Sequence, residues 1–462
     1  MTTETPKISI EDLKEWYKKR HRTFIAFTCQ NTCLGMEYSL TFVTLWLYLE
    51  ETLKASHLKL FYALISAVYV TTQIAASIVI GYIFDKYRNT SSMFLIGNCF
   101  IAIGNALYAI PYSPWNLFFG RLISGVGGYH KSIISSELAR SYSDDELSSK
   151  LSIIGMAFGL GFVLGPGINF IFVKADFFIS WLHITYTNAP ACCLAVVFIL
   201  NQILVTYLVS DLSKEYDLKE QETVGEEIAE YTTVNNSDDE SNELLLPNKS
   251  KNKKESVICV FKQLLKHTDT LIVLLSSFMF MYCMVSFDLW LPLAIVKLMN
   301  WGVVEINIIV FGNGIASVVF LLFITYRPLN DHSIVYMSWI CTLFVTLILI
   351  MYTVLAVYNS NLILNIVCWT CYSILFAILV IFDDVFLIGA MAKMTSSRVQ
   401  TLTESIRLAF SRFGELIALL TAAISFTQLE YVCTCLAVLS CFGLVVLVLR
   451  RKSLQNPAII VN

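Results

Sequence analysis

Twelve stretches of roughly 20 predominantly apolar residues, with most of the charge confined between them, constrain this sequence more than any other feature. A bilayer core about 30 Å thick is crossed by a helix of roughly 20 apolar residues, because every backbone N–H and C=O must find its partner inside the segment. The stretches run at about 23–49, 58–84, 92–112, 115–137, 151–173, 188–209, 270–297, 303–326, 333–358, 361–390, 399–426 and 429–449. Over the whole chain 56% of residues are hydrophobic and 15% charged, against about 25% charged in an ordinary soluble domain. So much apolar surface cannot be buried in a water-soluble core of 462 residues. A soluble enzyme and a disordered chain are thereby excluded. A nucleic-acid binder is excluded too, since a formal net charge of -3 offers no surplus of cations to a phosphate backbone. Long period-two alternation is absent, which argues against a barrel.

Charge between the spans sets the orientation. With the N-terminus in the cytosol, 24 of the 32 Lys and Arg residues fall on the cytosolic side, against Lys54, Lys59, Lys174 and Lys297 opposite. Such a bias is the positive-inside signature and puts both termini in the cytosol. The first 22 residues are polar and run straight into a full-length span, which is not the plan of a cleavable signal peptide. Residues 211–255 hold 13 of the 35 acidic residues and almost no aromatics. They bury too little apolar surface to order themselves. The domain plan is therefore a cytosolic N-terminus at 1–22, a six-helix bundle at 23–209, an acidic disordered cytosolic linker at 210–268, a second six-helix bundle at 269–450 and a cytosolic tail at 451–462. The basic end of the linker, Lys249 to Lys254, has the composition to lie against anionic lipid, but the plainer reading is a solvated tether. Within the linker, Glu240-Ser-Asn-Glu-Leu244-Leu245 fits the acidic dileucine form read by clathrin adaptors, which points to endosomal or lysosomal sorting. The sequons at Asn89, Asn235 and Asn248 fall on the cytosolic side and should be silent.

Three motifs stand out. The end of the second span reads Gly81-Tyr-Ile-Phe-Asp85-Lys86-Tyr-Arg88, a close-packing glycine followed by an acid and two bases. The fourth reads Arg121-Leu-Ile-Ser124-Gly125-Val-Gly127-Gly128; on a helical wheel Arg121, Ser124, Gly125, Gly128, Ser132 and Ser135 share one face. An arginine there either faces a cavity or snorkels to the nearer surface, and the small polar stripe favours the cavity. The fifth holds Gly155, Gly159, Gly161, Gly165, Pro166 and Gly167, a seam for close helix approach with a bend at the proline. Each motif resembles the pattern of the same span in the major facilitator superfamily; the last resembles its antiporter-associated form.

Ionisable residues inside spans are costly and mark function by default. Glu37 lies in the first span, Arg121 and Lys131 in the fourth, Asp288 in the seventh, Asp383 and Asp384 in the tenth. The eleventh carries Glu404, Arg407, Arg412 and Glu415, spaced to pair as Glu404–Arg407 and Arg412–Glu415 at i,i+3. Those pairs serve either the site or simple neutralisation near helix ends. Glu37 and Asp288 are the best proton carriers; Asp383 and Asp384 equally suit the cytosolic mouth. Cys368 and Cys371 have redox spacing but sit in an apolar helix and read as packing. No histidine pair has metal-ligand spacing, and no nucleotide loop or catalytic constellation occurs, so no cofactor, metal or enzymatic activity is expected.

The whole chain resembles the major facilitator superfamily. Within it, the domain-containing protein 8 branch (ceroid-lipofuscinosis type 7, lysosomal) looks most similar, on Glu15-Trp16, Leu45-Trp46-Leu-Tyr48-Leu, Gln73-Ile-Ala75-Ala-Ser77, Gly120-Arg121-Leu-Ile-Ser-Gly125-Val-Gly127, Gly161-Phe-Val-Leu-Gly165-Pro166 and Phe287-Asp288-Leu-Trp-Leu-Pro292. The resemblance implies helices 1, 4, 7 and 10 lining a central cavity, which would place Glu37, Arg121, Lys131, Asp288, Asp383 and Asp384 there. It implies Gly81, Asp85, Arg88, Gly125, Gly161, Gly165 and Pro166 as conformational elements. It further implies a lysosomal or endosomal transporter with chloride permeation; the buried cations Arg121 and Lys131 point to a secondary transporter of a small anionic solute, and the carboxylates Glu37 and Asp288 to protons as its coupling partner. The rival readings are a channel-like anion conductance and a non-transporting membrane scaffold or receptor acting through the acidic linker.

Overall fold

The computed structural model of the chain describes residues 10–172, 174–215, 256–299, 331–356, 362–455 and isolated positions at 309, 312, 313, 315, 316, 319, 322, 323 and 459. The acidic core of the linker with Glu240, Leu244 and Leu245, and nearly all of the eighth span, lie outside the described residues; so do the side chains of Pro166, Asp383 and Asp384.

The first half is built from α1 (Ile10–Leu47), α2 (Leu58–Tyr87), α3 (Thr90–Tyr108), α4 (Pro114–Val126), α5 (His130–Ser141), α6 (Asp144–Ile171) and α7 (Ala189–Leu208). The second comprises α8 (Val257–Lys266), α9 (Thr268–Met299), α10 (Asp331–Ala356), α11 (Leu362–Met394), α12 (Gln400–Thr427), α13 (Leu429–Leu449) and the short α14 (Arg451–Gln455). Local chemistry sets the helix ends. Asn89 accepts from the backbone N–H of Ser92 to start α3, and Ser113 accepts from that of Trp115 to start α4, with Pro114 at the first helical position. Arg88 ends α2 at φ 47, a left-handed conformation that disfavours a residue with a Cβ.

The two halves repeat one packing plan. In the first, α1 lies along α6, and α3 packs on α7; in the second, α9 lies along α12, and α10 on α13. Glycines set both long contacts. A Cβ on Gly161 would meet the Thr32 carbonyl oxygen at 2.0 Å, and one on Gly414 the Phe278 carbonyl oxygen at 2.3 Å. Only a missing side chain permits backbones that close. Large apolar side chains fill each half, such as Trp290, Phe287, Tyr372 and Trp369 in the second. Others, such as Val196, Ile199, Leu200 and Ile203 on α7, face outward, as bilayer-facing residues must. Among the described residues six helices are long and apolar enough to cross a membrane.

Three features depart from the sequence reading. The fourth span is broken: α4 gives way at Gly127–Tyr129 to one 3-10 turn before α5 continues to Ser141. The reason is packing, since a Cβ at Gly127 would meet Ile101 Cγ1 at 2.2 Å and one at Gly128 Gln73 Cγ at 2.4 Å. The expected linker also overruns ordered structure, for residues 257–266 form α8. Its Val260 and Leu264 are buried in the second core, although the neighbouring acidic stretch masks them in an averaged composition. Finally, a two-stranded hairpin, β1 (Asp176–Ile179) with β2 (Leu182–Thr185), caps the turn between α6 and α7.

The N-terminal region is helical from Ile10 and clamps the end of the bundle opposite the hairpin. Arg20 donates to the Ser141 carbonyl at 3.0 Å and stacks on Tyr142 and Tyr17. Lys19 binds Glu215 at 3.2 Å, and that hydrogen bond holds the Lys19 ammonium above its ordinary range.

Candidate functional site

At the end of α2 the Asp85 carboxylate accepts from the backbone N–H groups of Thr401 and Leu402, at 3.1 and 2.7 Å. These belong to the first turn of α12, whose N–H groups have no partner within the helix and whose dipole favours an anion. Arg140 Nη2 completes the pair with Asp85 at 2.5 Å, while Arg140 Nη1 reaches Glu137 at 3.2 Å and Nε donates to the Ser397 carbonyl at 3.0 Å. Arg88 donates to the same carbonyl at 3.3 Å, which ties the strained end of α2 to the loop before α12. A turn inward, a Cβ on Gly81 would overlap Ser405 Oγ, and Thr401 Oγ1 meets Ser136 Oγ at 2.9 Å. The halves are therefore fastened together at this end. Of the bases near Asp85, Arg140 makes the ion pair, while Arg88, closer in sequence, donates to the Ser397 carbonyl.

Beyond the fastening, toward the opposite end, a small cavity of about 30 Å³ lies between the halves, lined by Tyr38, Tyr62, Ser66, Tyr69, Arg121 and Glu415 among others. Arg121 is 2% exposed and Glu37 1%, so the arginine faces the interior and does not snorkel. Its Nη1 lies 3.4 Å from Glu37 Oε1, which also accepts from Asn105 at 3.4 Å. The guanidinium sits between the rings of Tyr69 and Tyr108, 5.0 and 4.9 Å from their centroids. A charge-assisted hydrogen bond normally closes to about 2.7–2.9 Å, so this pair is loose. Arg121 Nε and Nη2 moreover meet no acceptor among the described residues. Two buried donors of a fixed cation are thus left over at the wall of a cavity.

The eleventh-span charges behave differently. Arg407 clasps Glu404 with two bonds, at 2.8 and 2.6 Å, and donates to Ser277 on α9 at 3.2 Å. Arg412 holds Glu415 at 2.6 Å, and Tyr38 donates to the other oxygen of Glu415 at 2.9 Å. Both i,i+3 pairs are tight and buried, Glu404–Arg407 within the first two turns of α12 and Arg412–Glu415 farther along it. The second spans the two halves, because Tyr38 comes from α1. Glu404 also lines a smaller cavity of about 10 Å³ with Ser135, Ser136, Met391 and Thr395, just inside the fastening.

Asp288 is half-buried on α9 and lies within electrostatic reach of Tyr38, Tyr62 and Tyr372. Lys131 is not at the Arg121 cavity; its ammonium sits 5.1 Å from the Phe158 ring centroid, between α5 and α6. Gly125 abuts Tyr69 and Thr72 of α2, Gly161 abuts α1, and Gly165 is buried. Cys368 and Cys371 are both free thiols.

Sequence reasoning missed Tyr38, Tyr69, Tyr108, Asn105, Glu137 and Arg140. Glu137 and Arg140 stand three apart at the end of the fourth span, a signal that was available. The tyrosines carried none, since an aromatic in a membrane helix looks like packing until its neighbours are known.

The profile of the Major Facilitator Superfamily matches residues 27–399, more than half of the chain. Multidrug resistance protein 3 of Bacillus subtilis is 31% identical over 141 residues, 30% of this chain and 27% of that protein. The class D tetracycline resistance protein of Salmonella ordonez is 30% identical over 122 residues, 26% of this chain and 30% of that protein. The aligned stretch is thus less than a third of either relative. Two solved structures share the fold along nearly the whole chain. The human organic anion transporter MFSD10 (TETRAN) superposes with TM-score 0.67 at 14% identity, covering 92% of this chain and 99% of that one. The proton:xylose symporter XylE does so with TM-score 0.69 at 12% identity, covering 94% and 95%.

Proposed function

The chain belongs to the Major Facilitator Superfamily, and from that premise we propose that it is a carrier which moves a small anion across a membrane by alternating access, with Arg121 as the group that holds the anion. The observation that carries the proposal is the pair of buried, unfilled guanidinium donors at the cavity wall. A planar anion, a carboxylate for instance, can accept two parallel N–H bonds from such a fork. The tyrosine rings fix the guanidinium in place, so little ordering is required when the anion arrives.

Charge balance then assigns Glu37 its part. Arg121 and Glu37 are neutral as a pair. An anion arriving at Arg121 leaves one net negative charge in a medium of low dielectric, which is costly. Taking a proton onto Glu37 restores neutrality, so anion and proton move together. Asp288, which does not line that cavity but lies within electrostatic reach of Tyr38 and Tyr62 on its wall, is the second candidate for that proton.

The fastening around Asp85 supports a carrier over an open conductance, because its bonds close one end while the cavity lies toward the other. Rocking of the halves would break those bonds and the Tyr38–Glu415 bond as the cavity changes sides. The Lys/Arg distribution supports a cytosolic position for the fastened end. The dileucine at Glu240, Leu244 and Leu245, with the resemblance to a lysosomal branch, supports an endosomal or lysosomal membrane and a clathrin adaptor as partner.

The test is anion-dependent thermal stabilisation of the purified chain, with chloride and benzoate as probes. Each bond to a charged group contributes about 1.5–3 kcal/mol, so Arg121→Gln should weaken the stabilising anion at least about tenfold while eluting as folded protein. Equal stabilisation of wild type and Arg121→Gln by both probes would sink the assignment.

A further inference from the structure

Helix α8 carries more apolar surface than the bundle covers. Val260 and Leu264 are buried in the second core, but Ile258, Phe261 and Leu265 are 65%, 37% and 39% exposed. Their i, i+3, i+7 spacing makes them one stripe along the helix. That stripe does not stop at α8. The Phe261 ring lies 6.4 Å from Phe410 on α12, and one turn on Phe413 pairs with Phe278 of α9 and faces outward. It therefore runs into the wall of α9 and α12 that the bilayer covers.

The edge of the same helix is basic. Lys262 and Lys266 stand four residues apart and are exposed. Only His267 separates Lys266 from α9, and the start of α9 is where the C-terminal segment docks. Arg450 Nη2 donates to Thr268 Oγ1 at 3.4 Å, and Ser453 Oγ donates to Asp269 at 2.5 Å. These bonds dock the segment with exposed Arg450, Arg451 and Lys452 at the start of α9, which follows Lys266 in the chain. The carboxylate in this group, Asp269, is buried and turned to Ser453, so it neutralises little of the outward field. Lys262 and Lys266 thus flank an apolar stripe that is continuous with the lipid-facing wall, and three more cations dock at the α8–α9 junction.

We propose that α8 and the Arg450–Lys452 segment form a binding site for anionic phospholipids of the surrounding membrane. Headgroup phosphates pair with Lys262, Lys266, Arg450, Arg451 and Lys452, and acyl chains lie against Ile258, Phe261 and Leu265. Amphipathic helices with this distribution lie in the plane of the interface, and their affinity combines apolar burial with attraction to anionic lipid. The site stands apart from Arg121 and does not depend on what the cavity carries.

The experiment is retention of lipid by the purified full-length chain, read by native mass spectrometry, with phosphatidylserine, phosphatidylinositol 4,5-bisphosphate and phosphatidylcholine as probes. Wild type should retain both anionic lipids at least about tenfold better than phosphatidylcholine, and the preference should shrink as salt is raised. Combined Lys262→Gln, Lys266→Gln, Arg450→Gln, Arg451→Gln and Lys452→Gln should remove the preference, although Lys249, Lys251, Lys253 and Lys254 remain. Charge-keeping Lys262→Arg with Lys266→Arg should preserve it, and this comparison with wild type needs no neutralised variant to fold. Equal retention of phosphatidylcholine by wild type would overturn the proposal. So would an anionic preference that survives all five neutral substitutions, or one matched by soluble inositol hexakisphosphate, which would mark a free-phosphate site instead of a lipid site.

Discussion

Replacing Asp85 by asparagine tests the fastening between the halves. The carboxylate serves two backbone N–H groups and the Arg140 guanidinium at once, with Asp85 and Arg140 side chains only 9% and 4% exposed. Removing one member of a buried pair costs about 3–5 kcal/mol, because the other charge is left stranded. Arg140 is not fully stranded here, since Glu137 and the Ser397 carbonyl still hold it at 3.2 and 3.0 Å. The lower end, about 3 kcal/mol, is therefore expected. If the fastening exists in only one of two conformers, that energy appears as a shift of roughly a hundredfold in their ratio. Hydrogen exchange reads it directly. The Thr401 and Leu402 amides lie in the first turn of α12, where the carboxylate is their acceptor. In Asp85→Asn they should exchange tens to a hundred times faster, while amides deep in α3, such as Ile101, keep their rates. Unchanged exchange at 401 and 402 would refute the reasoning; equal acceleration at Ile101 would show global loosening instead.

The remaining predictions concern packing and buried charge. Gly161→Ala places a Cβ 2.0 Å from the Thr32 carbonyl oxygen, so α1 and α6 must separate; the expected cost is about 1–3 kcal/mol, read as a lower melting temperature. Glu404→Gln takes from the fully buried Arg407 the carboxylate that clasps it at 2.8 and 2.6 Å, and should lower the yield of monodisperse protein sharply. Adding Arg407→Met should recover much of that yield, as apolar replacement of buried ion pairs often does. Tyr38→Phe removes the bond from α1 to Glu415 while keeping the ring near Arg412. The fold should persist, with a melting temperature within a few degrees, but the halves should separate more readily, seen as faster tryptic cleavage in the 395–400 loop.

Much of the fold was legible because membrane insertion allows few solutions. Twelve apolar stretches, a polar interruption midway and the Lys/Arg bias leave little besides two helical bundles. What the apolar pattern concealed was local. The break at Gly127–Tyr129 follows from side chains of α2 and α3 that pack there, and no periodicity within the fourth span announces it. Helix α8 was hidden by its acidic neighbours in the sequence. The site was legible in its charges, because a charge in a span must have a reason. Glu37, Arg121 and Glu415 could be found that way, and spacing along one helix gave Glu404–Arg407 and Arg412–Glu415 directly. Partners from other helices could not be read. The spacing 37 to 121 says nothing about a salt bridge, and Lys131, just past the 3-10 segment, sits over Phe158 and not at the cavity. Arg140 shows the same limit, since Arg88 is nearer to Asp85 in sequence but Arg140 makes the contact.

The central claim, that the chain is a carrier which holds its anion at Arg121, is tested most directly by exchange in proteoliposomes. Vesicles bearing purified protein are loaded with unlabelled benzoate, and uptake of labelled benzoate is followed with and without that load, then repeated with chloride and with Arg121→Gln. The account predicts saturable uptake of at least one of these anions that is accelerated by the same anion inside, and lost in Arg121→Gln despite normal folding. Uptake that rises linearly with concentration, ignores the internal load and persists in Arg121→Gln would contradict it.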